Sequence, residues 1–196
     1  MERADRIFIT GTSGVGKTTL AKFISERFGL PYISTSASTL WPKYGFSSHA
    51  DALKKCMANP EIGFLYQRDI LFNRVDRLVN EKEFVTDRGP IDNLAYFLLQ
   101  QAYHSDENNL TFINVCKQLH RLADKTIFLT LPDTTEGYSI ENNSKRITSM
   151  VYQKMVDNTM QMVIDEYFNG YNILYIKVWD MEYRKKITED FIKGIL

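Results

Sequence analysis

Eight consecutive residues, Gly11-Thr12-Ser13-Gly14-Val15-Gly16-Lys17-Thr18, place glycines, a lysine and a hydroxyl in the spacing GxxxxGK[ST]. Glycines at such positions let a backbone fold tightly around a polyphosphate, because they reach φ angles closed to other residues. The loop amides then point at the anion, and a helix starting at Lys17 adds partial positive charge at the same point. Lys17 can reach β- and γ-phosphates, and the Thr18 hydroxyl can take a coordination position on Mg2+. Gly11 through Thr19 is therefore the expected ATP site, with ATP and Mg2+ as cofactors. A glycine-rich turn that matches by chance is the plain alternative, and a strand before the loop with a helix after it argues against that.

A second cluster is Asp87-Arg88, at the end of the short apolar run Glu83 to Asp87. Ligands of open parallel sheets sit beyond the C-terminal ends of the strands. A carboxylate there can hold Mg2+ through water or accept the proton of an attacking hydroxyl. The planar fork of Arg88 suits a pair of phosphate oxygens. Read alone, the two residues are better explained as a surface pair at a turn; with the phosphate loop in the same chain, the functional reading is favoured.

The elements that must position these groups alternate along the chain. Strands are expected at Arg6 to Thr10, Pro31 to Ser36, Glu83 to Asp87, Thr126 to Leu131 and Ile173 to Val178. Helices are expected over Lys17 to Phe28, Ile62 to Lys82, Ile91 to Tyr103, Leu110 to Leu122, Val151 to Phe168 and Asp180 to Leu196. Thr35 to Asn59 is the least regular stretch, and Asp133 to Ser149 reads as a polar loop. Alternating strands and helices predict a parallel α/β sheet covered on both faces, in one domain spanning 1–196.

Lys plus Arg equals Asp plus Glu at 24 each, which weighs against a protein that coats nucleic acid. Cys56 and Cys116 lack metal or disulfide spacing and read as buried thiols of a reducing cytoplasm; His49, His104 and His120 read as ordinary residues. No apolar run is long enough for a membrane helix, and the charged start gives no signal peptide. Lys22, Arg184, Lys185 and Lys186 read either as surface charge or as an interaction patch.

The segment Thr86-Asp87-Arg88-Gly89-Pro90-Ile91-Asp92-Asn93-Leu94-Ala95-Tyr96 resembles the DRxPxDxLAY signature of a group of small P-loop kinases. Phage-type deoxynucleotide monophosphate kinases and the kinase domain of nicotinamide riboside kinases belong to that group. More broadly it resembles thymidylate kinases and deoxynucleoside kinases. Phe64 to Leu71 resembles their QRxIL helix, and the region of Arg146, Tyr152 and Gln153 their R…YQ lid and following helix. The resemblance implies a three-layer P-loop kinase fold with a five-stranded parallel sheet. It implies that Arg88 contacts the acceptor's phosphate or 5′ oxygen and that Gln67 and Arg68 face the acceptor; the alternative for the latter two is the solvated side of a helix. It also implies a lid at 133–149 whose Arg146 meets the transferring phosphoryl group, although the family's DGxR stretch is absent here. The aromatics of Trp41 to Phe46 either stack on a base or pack in the core.

The expected function is ATP- and Mg2+-dependent phosphoryl transfer to a deoxynucleoside monophosphate or similar small nucleotide, the expected partner. A nucleoside kinase, and a kinase of a hydroxymethylated pyrimidine in phage DNA, keep the chemistry and change the acceptor. A nucleotide-switch ATPase is the alternative of another class; the chain has no NKxD motif. The oligomeric state is not written in the sequence.

Overall fold

The computed structural model of the chain describes residues 5–100, 105–131 and 147–195. Strand β1 (Arg6–Gly11) lies inside a parallel sheet, with β2 (Phe84–Thr86) on one side and β3 (Lys125–Leu129) on the other; β4 (Ile173–Ile176) lies outside β3. Phe8 pairs with Thr86 and Thr126, so the ends of β1 and β2 open on the same edge. Side chains alternate across a strand. Ile7 and Ile9 accordingly enter one core and Phe8 the other.

The first core lies under α1 (Lys17–Phe28) and α8 (Met181–Lys193), which contribute Leu20, Ile24, Phe191 and Ile192. The second lies under α4 (Pro60–Leu78), α5 (Pro90–Leu99), α6 (Asp106–His120) and α7 (Met150–Tyr167). The three layers follow from strands whose residues are apolar on both faces.

The expected five-stranded sheet is corrected to four strands among the described residues. The segment 31–36 makes only one parallel bridge, Tyr32 to Val85. Val85 N–H donates to Pro31 O and Ile33 N–H to Val85 O, each at 2.9 Å, and the ladder ends there. Pro31 has no N–H to give and β2 is three residues long. Two arginines of α4 then take over the segment: Arg77 donates to the Ser34 carbonyl and Arg74 Nε to Thr35 Oγ1 at 3.3 Å.

The stretch expected to be irregular is ordered instead. A 3-10 turn (Ala37–Leu40) leads into α2 (Trp41–Tyr44) and α3 (His49–Ala58). Ser48 caps α3 by accepting the Asp51 N–H at 3.0 Å. Phe46, Cys56, Tyr66 and Ile70 form a satellite core with Trp41 and Tyr44 against it. Cys56 and Cys116 are buried free thiols. No described helix is long and apolar enough to cross a membrane.

Candidate active site

A cavity of ≈ 470 Å³ opens beyond the C-terminal ends of β1 and β2, within the ~300–1,000 Å³ range of small-ligand sites. One wall is the loop joining β1 to α1. Gly11 has φ +141°, and a Cβ there would lie 2.4 Å from the Leu129 carbonyl oxygen, so β3 approaches too closely for any side chain. Lys17 is buried and its Nζ donates to the carbonyls of Gly11 at 2.7 Å and Thr12 at 2.5 Å. The Thr12 hydroxyl donates to Gln153 Oε1 of α7. Ser13, Gly14, Gly16, Lys17, Thr18 and Thr19 line the cavity. Gly11, Thr12 and Val15 form the frame behind them, Val15 inside the α1/α8 core.

At the end of β2, Asp87 Oδ2 accepts the Thr18 hydroxyl at 2.5 Å. Tyr32 joins this pair, and burial together with the Asp87 charge pushes its phenol up. Thr18 and Asp87 offer adjacent hard oxygens, the donor set that Mg2+ takes from a protein while keeping waters and phosphate oxygens as its other ligands.

Arg88 Nη1 donates to Asp92 Oδ1 at 2.8 Å and reaches the Gly11 carbonyl at 3.5 Å. Burial pulls its guanidinium down, yet the charge of Asp92 beside it holds it above the ordinary value. Asp92 is 1% exposed, and its Oδ2 also accepts the Thr10 hydroxyl at 2.8 Å and the Gly89 N–H at 2.9 Å. One carboxylate thus caps α5, ties it to β1 and aims Arg88.

The rest of the cavity combines amides and rings. Gln67 Nε2 donates to Gln100 Oε1 at 2.7 Å, both 2% exposed. Arg74 Nη1 donates to Gly89 O at 2.9 Å and to Asn93 Oδ1, and burial lowers its guanidinium to about 10. Trp41 lines the cavity and donates from Nε1 to Tyr66 OH at 3.0 Å. His49 packs edge-on against Tyr96; burial first, and the Arg88 charge second, lower its imidazole to about 4.

A family model described as an AAA domain matches residues 6–186. The chain belongs to this AAA domain family. Among curated proteins none matches significantly. Deoxyadenosine kinase from M. mycoides, with the products dCMP and dCDP bound, is 15% identical over 97% of this chain and 100% of its own, with a TM-score of 0.65. Thymidylate kinase from Candida albicans is 18% identical over 98% of this chain and 93% of its own, with a TM-score of 0.58. The NadR protein in complex with NAD and AMP-PNP is 14% identical over 97% of this chain and 49% of its own, with a TM-score of 0.66. Likenesses at this identity show a shared fold, that of small P-loop nucleotide and nucleoside kinases.

Within this AAA-domain fold the expected residues separate. The loop, Asp87, Arg88 and Gln67 meet in one cavity. Arg68 does not: it lies outside the lining, with Nη2 on Asp69 Oδ1 at 3.2 Å and its side chain 41% exposed. One residue past Gln67 on a helix is turned about 100° away, and Arg74, two turns on, faces the cavity instead. Arg146 lies outside the described residues, as does loop 133–146. Asp92, Asn93 and Tyr96 were read only as part of the signature segment and were given no site role, and Gln100 and Arg74 were not singled out from the sequence; His49, read as an ordinary residue, also lines the cavity. The i,i+4 spacing of Arg88 and Asp92 was the available signal for one of them.

Proposed function

We propose that the chain transfers the γ-phosphate of ATP to a nucleoside monophosphate held between Arg88 and the amide wall. The observation that carries this reading is the state of the two cavity carboxylates. Asp92 is saturated by Thr10, Gly89 and Arg88, and Asp87 is turned onto Thr18, where it serves the metal side. Among the described lining residues these are the two carboxylates, so deprotonating a hydroxyl would take Asp87 away from Thr18. A phosphate monoester needs no such base, since its oxygen arrives ionised. The deoxy series is taken from M. mycoides deoxyadenosine kinase, which holds dCMP and dCDP.

The chemistry is positioning and charge neutralisation. Loop amides hold the donor phosphates, and Lys17 turns its ammonium from the Gly11 and Thr12 carbonyls to the β- and γ-oxygens. Thr18 and Asp87 would hold Mg2+, which would supply positive charge against the donor phosphates. Arg88, aimed by Asp92, holds the acceptor phosphate while its oxygen bonds to the γ-phosphorus and the bond to the β-phosphate oxygen breaks, releasing ADP. Gln67, Gln100 and Asn93 present donors and acceptors to a base edge, with Trp41 and Tyr66 as apolar flanks.

A second reading, a nucleoside acceptor, is favoured by the outward turn of Arg68. Arg74 and Arg88 then balance Asp87 and Asp92 across the acceptor side, which suits an uncharged ligand; Asp87 would take the hydroxyl proton. Labelled ATP and Mg2+ with deoxynucleoside monophosphates, nucleosides and hydroxymethyluracil DNA separate the cases. Labelled diphosphate supports the monophosphate kinase, and label on a nucleoside moves the assignment to the second reading. Label on DNA moves it to a base within a strand. Inorganic phosphate alone overturns transfer in favour of an ATPase.

A further inference from the structure

Arg184 sits in the charged run Tyr183-Arg184-Lys185-Lys186, which in sequence reads as surface charge or an interaction patch. None of its surface is exposed. Its Nε donates to the Val178 carbonyl at 2.6 Å, its Nη1 donates to the Val15 carbonyl of the phosphate loop, and its guanidinium lies 4.9 Å from the Trp179 ring centroid. A Cβ on Gly16, whose φ is +90°, would stand 3.3 Å from Nη1 and 3.1 Å from Met181 Cε. Helix α8 therefore grips the loop at the Val15–Gly16 peptide.

We propose that Arg184 is a positioning residue for triphosphate binding, holding that peptide so that the Gly16 amide faces the phosphates. The peptide is trans, as are all described ones, so its C=O and N–H point in opposite directions. Val15 is buried in the α1/α8 core while Gly16 lines the cavity. Drawing the Val15 carbonyl outward to α8 therefore turns the Gly16 N–H inward, where an anion collects it with the other loop amides. The buried positive charge behind the loop adds to the field at the same place. Lysine cannot reproduce this, because two carbonyls are met by one planar fork that also lies on Trp179.

The inference rests on Gly11 to Thr18 being the ATP site and is independent of the acceptor. Its test is direct ATP binding by titration calorimetry to the whole chain and to Arg184→Lys and Arg184→Ala, with thermal unfolding alongside. The expected result is an ATP affinity at least about tenfold weaker in the folded Arg184→Lys protein, with the acceptor KM unchanged. Low-millimolar guanidinium should restore part of the affinity of Arg184→Ala, which a purely structural residue would not show. Wild-type affinity in Arg184→Lys overturns the proposal. So does an equal loss of acceptor and ATP binding that guanidinium leaves unmoved. If the unaltered chain binds no ATP, the reading of the loop itself fails and the proposal falls with it.

Discussion

Replacing Asp92 by Asn tests the acceptor end of the site most directly. The carboxylate accepts three bonds, from Arg88 Nη1 at 2.8 Å, the Thr10 hydroxyl at 2.8 Å and the Gly89 N–H at 2.9 Å, and it is 1% exposed. Asparagine keeps the volume but must turn its NH2 either on Arg88 or on the Thr10 and Gly89 donors. Breaking one side of a buried pair costs about 3–5 kcal/mol. The Arg88 side chain is 24% exposed and recovers some hydration, so the lower end, ~3 kcal/mol, applies. At ~2–4 °C per kcal/mol for a chain of this size, the midpoint should fall by roughly 6–12 °C. An Arg88 no longer aimed should cost about 10²-fold in transfer, the price of a misplacement near 1 Å. Calorimetric unfolding and steady-state kinetics read both, with the loss falling on the acceptor KM and kcat and little on the ATP KM. An Asp92→Asn protein that melts within about 1 °C of the parent and uses acceptor normally would refute the reasoning.

Lys17→Ala should abolish transfer while circular dichroism stays unchanged; retained activity would sink the phosphate-loop assignment. Gln100→Ala strands the Gln67 amide and should raise the acceptor KM by about tenfold, the size of one lost buried hydrogen bond, with ATP binding unaffected in a titration. His49 and His120 are both lowered to about 4 by burial, so the unfolded chain takes up their protons first as pH falls. Stability should therefore rise between pH 4 and 6.5 by up to about 3 kcal/mol per imidazole, measured by urea unfolding. Asp157 slopes the other way: burial raises its carboxyl to about 6, so it favours the folded state at low pH and loses that contribution as pH rises through about 6. Asp157→Asn should gain ~1–2 kcal/mol at pH 7.5, allowing for solvent screening, and nothing at pH 3.5; equal effects at both would contradict this sign.

The donor half of the site was legible because its chemistry is written in consecutive residues. A loop folded this tightly needs glycines at fixed offsets, so Gly11 to Thr18 announced its conformation and its place in the cavity. Asp87 and Arg88 were legible through their place at the end of an apolar strand. The acceptor half was not, because α4 carries arginines on several faces. Gln67, Ile70, Leu71, Arg74 and Leu78 make one buried stripe with Arg74 inside it, while Arg68 and Arg77 lie off it. Only the packing of that helix decides which cation faces inward. Arg184 was hidden in the same way, although Arg184, Thr188, Phe191 and Ile192 do form a helical stripe. The second strand was overcalled because Pro31 to Ser36 has strand composition, and sequence alone does not show arginines from another helix taking its backbone and hydroxyl groups.

The interior place of β1 has a consequence for synthesis. Its two hydrogen-bonded neighbours both follow it in the chain, β2 at Phe84–Thr86 and β3 at Lys125–Leu129. While the chain is being made, Ile7, Phe8 and Ile9 therefore wait with both edges unpaired until β2 emerges about 75 residues later, and with one edge still unpaired until β3 emerges about 120 residues on, roughly 6–24 s at 5–20 residues per second. The phosphate loop, anchored against Leu129 and Arg184, closes later still. A ribosome-bound fragment ending before β3 should expose this strand to a chaperone, and nucleotide should protect only chains released with α8 in place.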